Sequence, residues 1–202
     1  TSNYPLLKGV QTNLYKCFLL RGTHITTQNG SVGLLHQPGV FDDPRGGNLR
    51  SHLAERLRIT ANFKNELDLF PEVHNLTRYS ATVLGSPRPP NFISASNLLH
   101  PSTLDDSLTH DGFGPVPGIK DDKGHWDIRP HRSRLVHINE QSLALFARLY
   151  DPPGTPPKEA RLPVVHSQEI LEALRRFSDV PRRLADLGSE YFCTEHFHET
   201  NQ

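Results

Sequence analysis

NGSVGLLHQPGVFDDPRGGNLRSHLAERLRITANFK, residues 29–64, is the stretch on which the fold turns. Asn29-Gly30 is a strong turn signal. Ser31 to His36 is short and apolar between breakers, as a buried strand is. A loop with Pro38, Pro44 and Gly46-Gly47 follows. From Asn48 to Arg58, Leu49, Leu53 and Leu57 recur at i, i+4 and i+8 along one helix face. Ile59, Ala61 and Phe63 then alternate with Thr60, Asn62 and Lys64, a strand pattern.

Upstream, residues 11–28 read as a helix that Thr12 or Asn13 can cap, with Leu14, Tyr15, Phe18 and Leu19 as its apolar stripe and Gly22 weakening its middle. Downstream, residues 78–84 read as a further strand after the apolar-acidic loop Glu66 to His74. Helix, strand, helix, strand, strand predicts an α/β sheet with an antiparallel strand pair at its edge. From Ser86 to about Pro130 the residues Pro, Gly, Ser, Asp and Asn dominate, and only Asn91 to Leu99 is apolar. That composition predicts a long functional loop or a linker. Leu135 to Ile138 reads as a short strand, and Asn139 can cap a helix carrying Leu143, Phe146 and Leu149. After a Pro-rich break, Ser167 begins a helix with Ile170, Leu171 and Leu174, and Pro181 a final short one. The expected organisation is a half-sheet over 1–85, a loop-rich bridge over 86–134 and a small mixed α/β extension over 135–202.

Hydrophobic content is 35%, with 17 Pro and 14 Gly, which suggests a core diluted by long ordered loops. The 22 basic and 22 acidic residues cancel. A free-standing nucleic-acid binder carries a basic excess, so any DNA contact must come from local patches or from other parts of a larger protein. Cys17 and Cys193 make no disulfide framework, and the expected compartment is a reducing cytoplasm. No apolar run has the length of a membrane span. A start at Thr1 and a lack of Met suggest a piece of a longer chain.

Asn13-Leu14-Tyr15-Lys16-Cys17-Phe18-Leu19 resembles the helix that follows the catalytic strand in adenine-N6 DNA methyltransferases. Gly30 to Pro38 is similar to that family's next strand and proline loop. Gly47-Asn48-Leu49-Arg50 with Leu53, Ile59 to Phe63, and Phe70-Pro71-Glu72-Val73 before Tyr79 to Leu84 resemble its later elements in the same order. His36 to Gly47, Asn65 to Val73 and Asp111 to Val136 are similar to very long bacterial phage-defence and restriction–modification proteins that carry this domain. The resemblance implies the fifth, sixth and seventh strands of a class I methyltransferase-like sheet, then the start of a target-recognition region. It implies double-stranded DNA as partner. In the intact parent it implies an amino-terminal half that binds S-adenosylmethionine. The family's glycine-rich cofactor turn and its Asn/Asp-Pro-Pro-Tyr/Phe tetrapeptide do not occur here, so no catalytic or cofactor-binding residue is assigned. A half-sheet also leaves the cofactor without a floor, and base flipping needs a closed pocket. The expected function is a methyltransferase fragment, inactive alone, that completes the sheet and helps position DNA. The rival reading is a non-enzymatic DNA-binding or assembly module.

Two stretches are candidate DNA contacts. Backbone amides of Asp42 to Gly47 before a helix, with Arg45 and Arg50, could hold a phosphate; the plainer reading is a capped turn. Arg129, His131, Arg132 and Arg134 beside Trp126 form the densest basic cluster, suited to backbone or base contact or else a solvated loop around a buried Trp. Arg175, Arg176, Arg182 and Arg183 read as a solvated face. Cys193, His196 and His198 have metal-like spacing but lack a convincing fourth ligand, so no metal is assigned. His110, His125 and His131 are scattered in loops.

Overall fold

The computed structural model describes residues 3–11, 13–182 and 184–190. Asn13 opens α1 (Leu14–Ile25), its side chain accepting the Tyr15 N–H at 3.5 Å. After the Asn29-Gly30 turn come β1 (Val32–His36), α2 (Gly47–Ala54), β2 (Leu57–Lys64) and β3 (Arg78–Leu84). The order strand, helix, strand, strand is therefore present. The stretch expected to be a loop-rich bridge supplies β4 (Asn91–Leu98) and α3 (Pro101–Thr109). β5 (Val136–Asn139), α4 (Glu140–Tyr150) and α5 (Gln168–Ser178) follow among the described residues. Asn139 caps α4 through the Ser142 N–H at 3.0 Å.

One mixed sheet holds all five strands, in the order β1-β3-β2-β4-β5. β3 is antiparallel to both β1 and β2, β2 is parallel to β4, and β4 is antiparallel to β5. The antiparallel pair β2–β3 is thus not at an edge. β4 takes the free side of β2, in register through Ile59–Ile93, Thr60–Ser94 and Ala61–Ala95. The 85–90 connection carries the chain from β3 past the start of β2, held by Gly85 N–H to Arg56 O and Arg88 N–H to Glu55 O.

α1, α2, α4 and α5 cover one face of the sheet, where Leu19, Leu53, Phe92, Val136, Phe146 and Leu171 share the main core. The other face carries a smaller cluster of Phe63, Ala95, Leu98 and Leu135, with Tyr79 and Leu104 of α3 against it. On α1 the buried stripe differs from the expected one. Lys16, Leu19 and Leu20 point inward, while Leu14 and Phe18 are 68% and 57% exposed. Gly22 lies on that inward side: a Cβ there would make ordinary contact, 3.4 Å from Val32 and 3.5 Å from Leu34, so this side of the helix closes on β1. β1 is an edge strand, with Leu35 exposed on its uncovered face. Among the described residues no helix is long and apolar enough to cross a membrane.

One packing feature predicts an acid response. Thr23 donates its hydroxyl to Leu20 O at 2.8 Å, so His52 Nε2, 3.0 Å from that hydroxyl, must be the donor in their contact. Burial first, then Arg56 and His24, pull the His52 pKa down to about 4. Between the ordinary histidine value and about 4 the unfolded chain takes up a proton that the folded one refuses. The stability due to neutral His52 is therefore complete above the unfolded pKa and is lost as pH falls. Urea titrations at pH 7 and pH 4 should show His52→Gln losing about 2–3 kcal/mol less than the parent over that range. Equal losses would mean that His52 titrates normally.

Candidate functional site

β1, β2 and β4 run in the same direction, so His36, Lys64 and Leu98 stand at one rim of the sheet. The crevice outside the carboxyl ends of parallel strands is where α/β sheets take ligands. A cavity of about 110 Å³ lies there. Its floor is sheet: Thr60 and Asn62 of β2 and Ser94 of β4. Pro38, Phe41 and Asp42 wall one side, and Leu162, Pro163 and Val164 another. Lys64, Arg78 and Asn97 stand around its opening end.

The floor is polar because this part of the helix-covered face carries hydroxyls and amides. Thr60, Ser80, Thr82, Ser94 and Ser96 are all buried. Their hydrogen bonds form a chain whose directions can be worked out. His36 Nδ1 is 2.7 Å from the Gln37 carbonyl, which only accepts, so Nδ1 carries the proton. His36 Nε2 then accepts the Thr82 hydroxyl at 3.0 Å, and Thr82 accepts the Thr60 hydroxyl at 3.3 Å. Burial lowers the His36 pKa, consistent with that neutral ring. Asn62 donates to Ser96 at 3.3 Å and accepts from Ser80. The Ser94 hydroxyl has no hydrogen-bond partner among the described residues, although the residue is only 7% exposed.

The walls are held from behind. Leu162 N–H donates to Phe41 O at 2.9 Å, which ties the two wall segments together. Arg50 of α2, only 4% exposed, reaches both: Nε and Nη2 donate to Glu159 O at 3.0 and 2.8 Å, Nε also to Ala160 O at 3.0 Å, and Nη1 to Asp43 O. Lys16 pins the same loop through an ion pair with Asp43 at 2.9 Å. Tyr15 stacks on His36 with centroids 5.7 Å apart. Burial, with Asp42 and Asp43 nearby, pushes the Tyr15 hydroxyl up to about 12.

The six residues expected at a DNA interface separate. Arg50 is spent on main-chain carbonyls inside the protein, and Arg134 is 1% exposed, its Nη2 on Asp127 O at 2.9 Å. Neither guanidinium reaches the surface. Arg45 is exposed, but Glu159 occupies the start of α2: a Cβ on Gly47 would stand 2.7 Å from its Oε2. A carboxylate already sits where the phosphate was expected. Arg129 is exposed and clasps the buried Asp127 with Nη2 at 2.6 Å and Nε at 3.0 Å. That partner holds the Asp127 carboxyl below the usual carboxylate range. Arg132 is exposed, and Trp126 is half-buried.

Trp126 lies beside the cavity opening, because Lys64 Nζ is 4.9 Å from its ring centroid and Lys120 Nζ 4.8 Å. Lys64 also pairs with Glu66 at 2.5 Å. The structure therefore adds Lys64 and Lys120 to the basic residues around Trp126, with Arg78 next to Lys64 on the neighbouring strand. Lys64 and Arg78 are register partners on adjacent strands, which the sequence could have disclosed only through the β2–β3 pairing. His110 and His131, read as scattered, have ring centroids 4.7 Å apart. Among the described residues no three His, Cys, Asp or Glu side chains group as a metal would require. Cys193, His196 and His198 lie outside the described residues.

Compared with known proteins, the chain matches no family model, no curated protein and no solved structure.

Proposed function

We propose that this chain is the distal part of an adenine-N6 DNA methyltransferase domain of a restriction–modification or phage-defence protein, acting in the cytoplasm. It completes the sheet and helps position duplex DNA. In the intact parent, an amino-terminal half supplies S-adenosylmethionine binding and the catalytic tetrapeptide. The observation that carries this reading is the order β1-β3-β2, with β3 inserted antiparallel between two parallel strands. The resemblance described above implies strand, helix and then an antiparallel strand pair, and β1, α2, β2 and β3 fall in that order on the residues that carry it, with β4 added where the pair was expected to be the edge. The basic residues around Trp126, at the carboxyl-end rim, support contact with a phosphate backbone.

The reading makes two measurable claims. Calorimetric titration with S-adenosylmethionine gives negligible heat for this chain alone; tight binding would show that the wrong half of the domain had been assigned. Duplex DNA binds with an affinity that falls steeply with salt, and Lys120→Ala and Arg132→Ala each reduce the salt slope by about 1. Duplex binding that ignores salt, or an unchanged slope in both variants, removes the DNA-positioning role. The upstream coding sequence separates enzyme from accessory module: a glycine-rich strand turn and an Asn-Pro-Pro-Tyr-type tetrapeptide there favour the enzyme.

A further inference from the structure

The cavity at the rim of β1, β2 and β4 has features that the methyltransferase reading does not use. Its floor offers hydrogen-bonding edges rather than an apolar surface. Ser94 is 93% buried by its 7% exposure, lines the cavity, and has no partner among the described residues. Its oxygen is reached from the cavity and is not among the buried polar atoms that lack a partner, so the hydroxyl is a hydrogen-bonding group that the cavity presents to an incoming molecule. Asn62 keeps one amide hydrogen free after donating to Ser96, and Asn97 keeps its Oδ1 after its amide meets His166 Nδ1 at 3.4 Å. Asn97 holds a left-handed backbone at φ 56°, which asparagine tolerates, at the irregularity in the β2–β4 register. Phe41, Pro38 and Pro163 supply flat apolar walls.

Size and charge narrow the occupant. At about 110 Å³ the cavity is somewhat smaller than the roughly 150 Å³ void that takes benzene, so it seats one six-membered ring, a pyrimidine or the six-membered ring of a purine, with the remainder outside. At the opening Arg78 is exposed with no ion-pair partner among the described residues, and Lys64 stands beside it. Asp42 also lines the cavity, and its carboxylate only accepts, which suits a ring bearing an amino group. A nucleotide is a ligand class that combines a flat ring with polar edges, an amino group and an anionic substituent outside.

We propose that this cavity binds a nucleotide unit, its base against Ser94, Asn62 and Asn97 and its phosphate on Arg78. The unit comes either as a free mononucleotide or as an unpaired unit of a strand. The inference does not rest on the methyltransferase reading and can stand if that reading falls.

Trp126 is the chain's only tryptophan and touches Lys64, so its emission reports occupancy without a label. The full chain is titrated with AMP, CMP, adenosine, inorganic phosphate, a short single strand and the matching duplex. Expected is saturable binding of AMP or CMP, with adenosine at least tenfold weaker and phosphate alone without saturation. Arg78→Ala, at an exposed site, weakens the mononucleotide about tenfold while adenosine is unchanged. Ser94→Val weakens mononucleotide and adenosine alike. A single strand binding much more tightly than AMP or CMP identifies a strand as the source; equal binding identifies the free nucleotide. No saturable binding of any nucleotide to folded protein overturns the proposal. So does binding that neither Arg78→Ala nor Ser94→Val alters, even where the duplex still binds.

Discussion

Arg50→Met should destabilise the protein by about 3–5 kcal/mol, because it removes a buried cation whose acceptors stay buried. The carbonyls of Asp43, Glu159 and Ala160 all receive this one guanidinium. Glu159 O and Ala160 O then have no donor among the described residues, while Asp43 O keeps the Gly46 N–H at 2.9 Å, and a buried unsatisfied carbonyl costs about 1–3 kcal/mol. Arg50→Lys should recover less than half, since a single ammonium cannot reproduce a planar fork across three acceptors. The second readout is local. Arg50 holds the two wall segments that Leu162 N–H and Phe41 O join, so hydrogen exchange at Leu162 should accelerate well beyond the global change. A loss under about 1 kcal/mol with Leu162 protection unchanged would show that the loops are held by something else.

Phe92→Ala should cost about 3–5 kcal/mol and leave a single unfolding transition. Phe92 is 2% exposed and belongs to the core shared by Leu19 of α1 and Leu171 of α5. The expectation of a loop-rich bridge over 86–134 predicts almost no effect at this position. A central strand predicts a large one, felt by the whole domain at once. Circular dichroism and tryptophan emission followed together in urea distinguish the cases: coincident, left-shifted transitions support β4 as integral. Two separated transitions would mean that the sheet is less cooperative than its pairing implies.

Much of the front half was legible because its signals are local. β1 lies between an Asn-Gly turn and a proline loop, and α2 carries its leucines on one face. α1 was legible as a helix but not in its rotation. Its sequence allows two inward faces, and the choice depends on Gly22 meeting β1 and on Lys16 meeting Asp43, both contacts made through folding. β4 hid for a different reason. Its helix-side residues after Phe92 are Ser94 and Ser96, so polar residues are buried and no alternation marks the strand. The cavity could not be read at all, since its lining comes from separate segments spread from Pro38 to Val164. The basic residues were half legible: their density was visible, but whether an arginine faces water or a carbonyl was not. Arg134 and Arg132 are two positions apart with opposite fates.

β1 has a practical consequence for handling this protein. Among the described residues its outer backbone groups have no neighbouring strand, and Val32 to Leu35 offer neither a charge nor a proline to discourage one. Natural sheets blunt such margins with lysine, proline or a bulge. Concentrated solutions should therefore self-associate margin to margin, in a manner that salt does little to suppress. A lysine in place of the exposed Leu35 should extend the workable concentration range while leaving the melting temperature nearly unchanged.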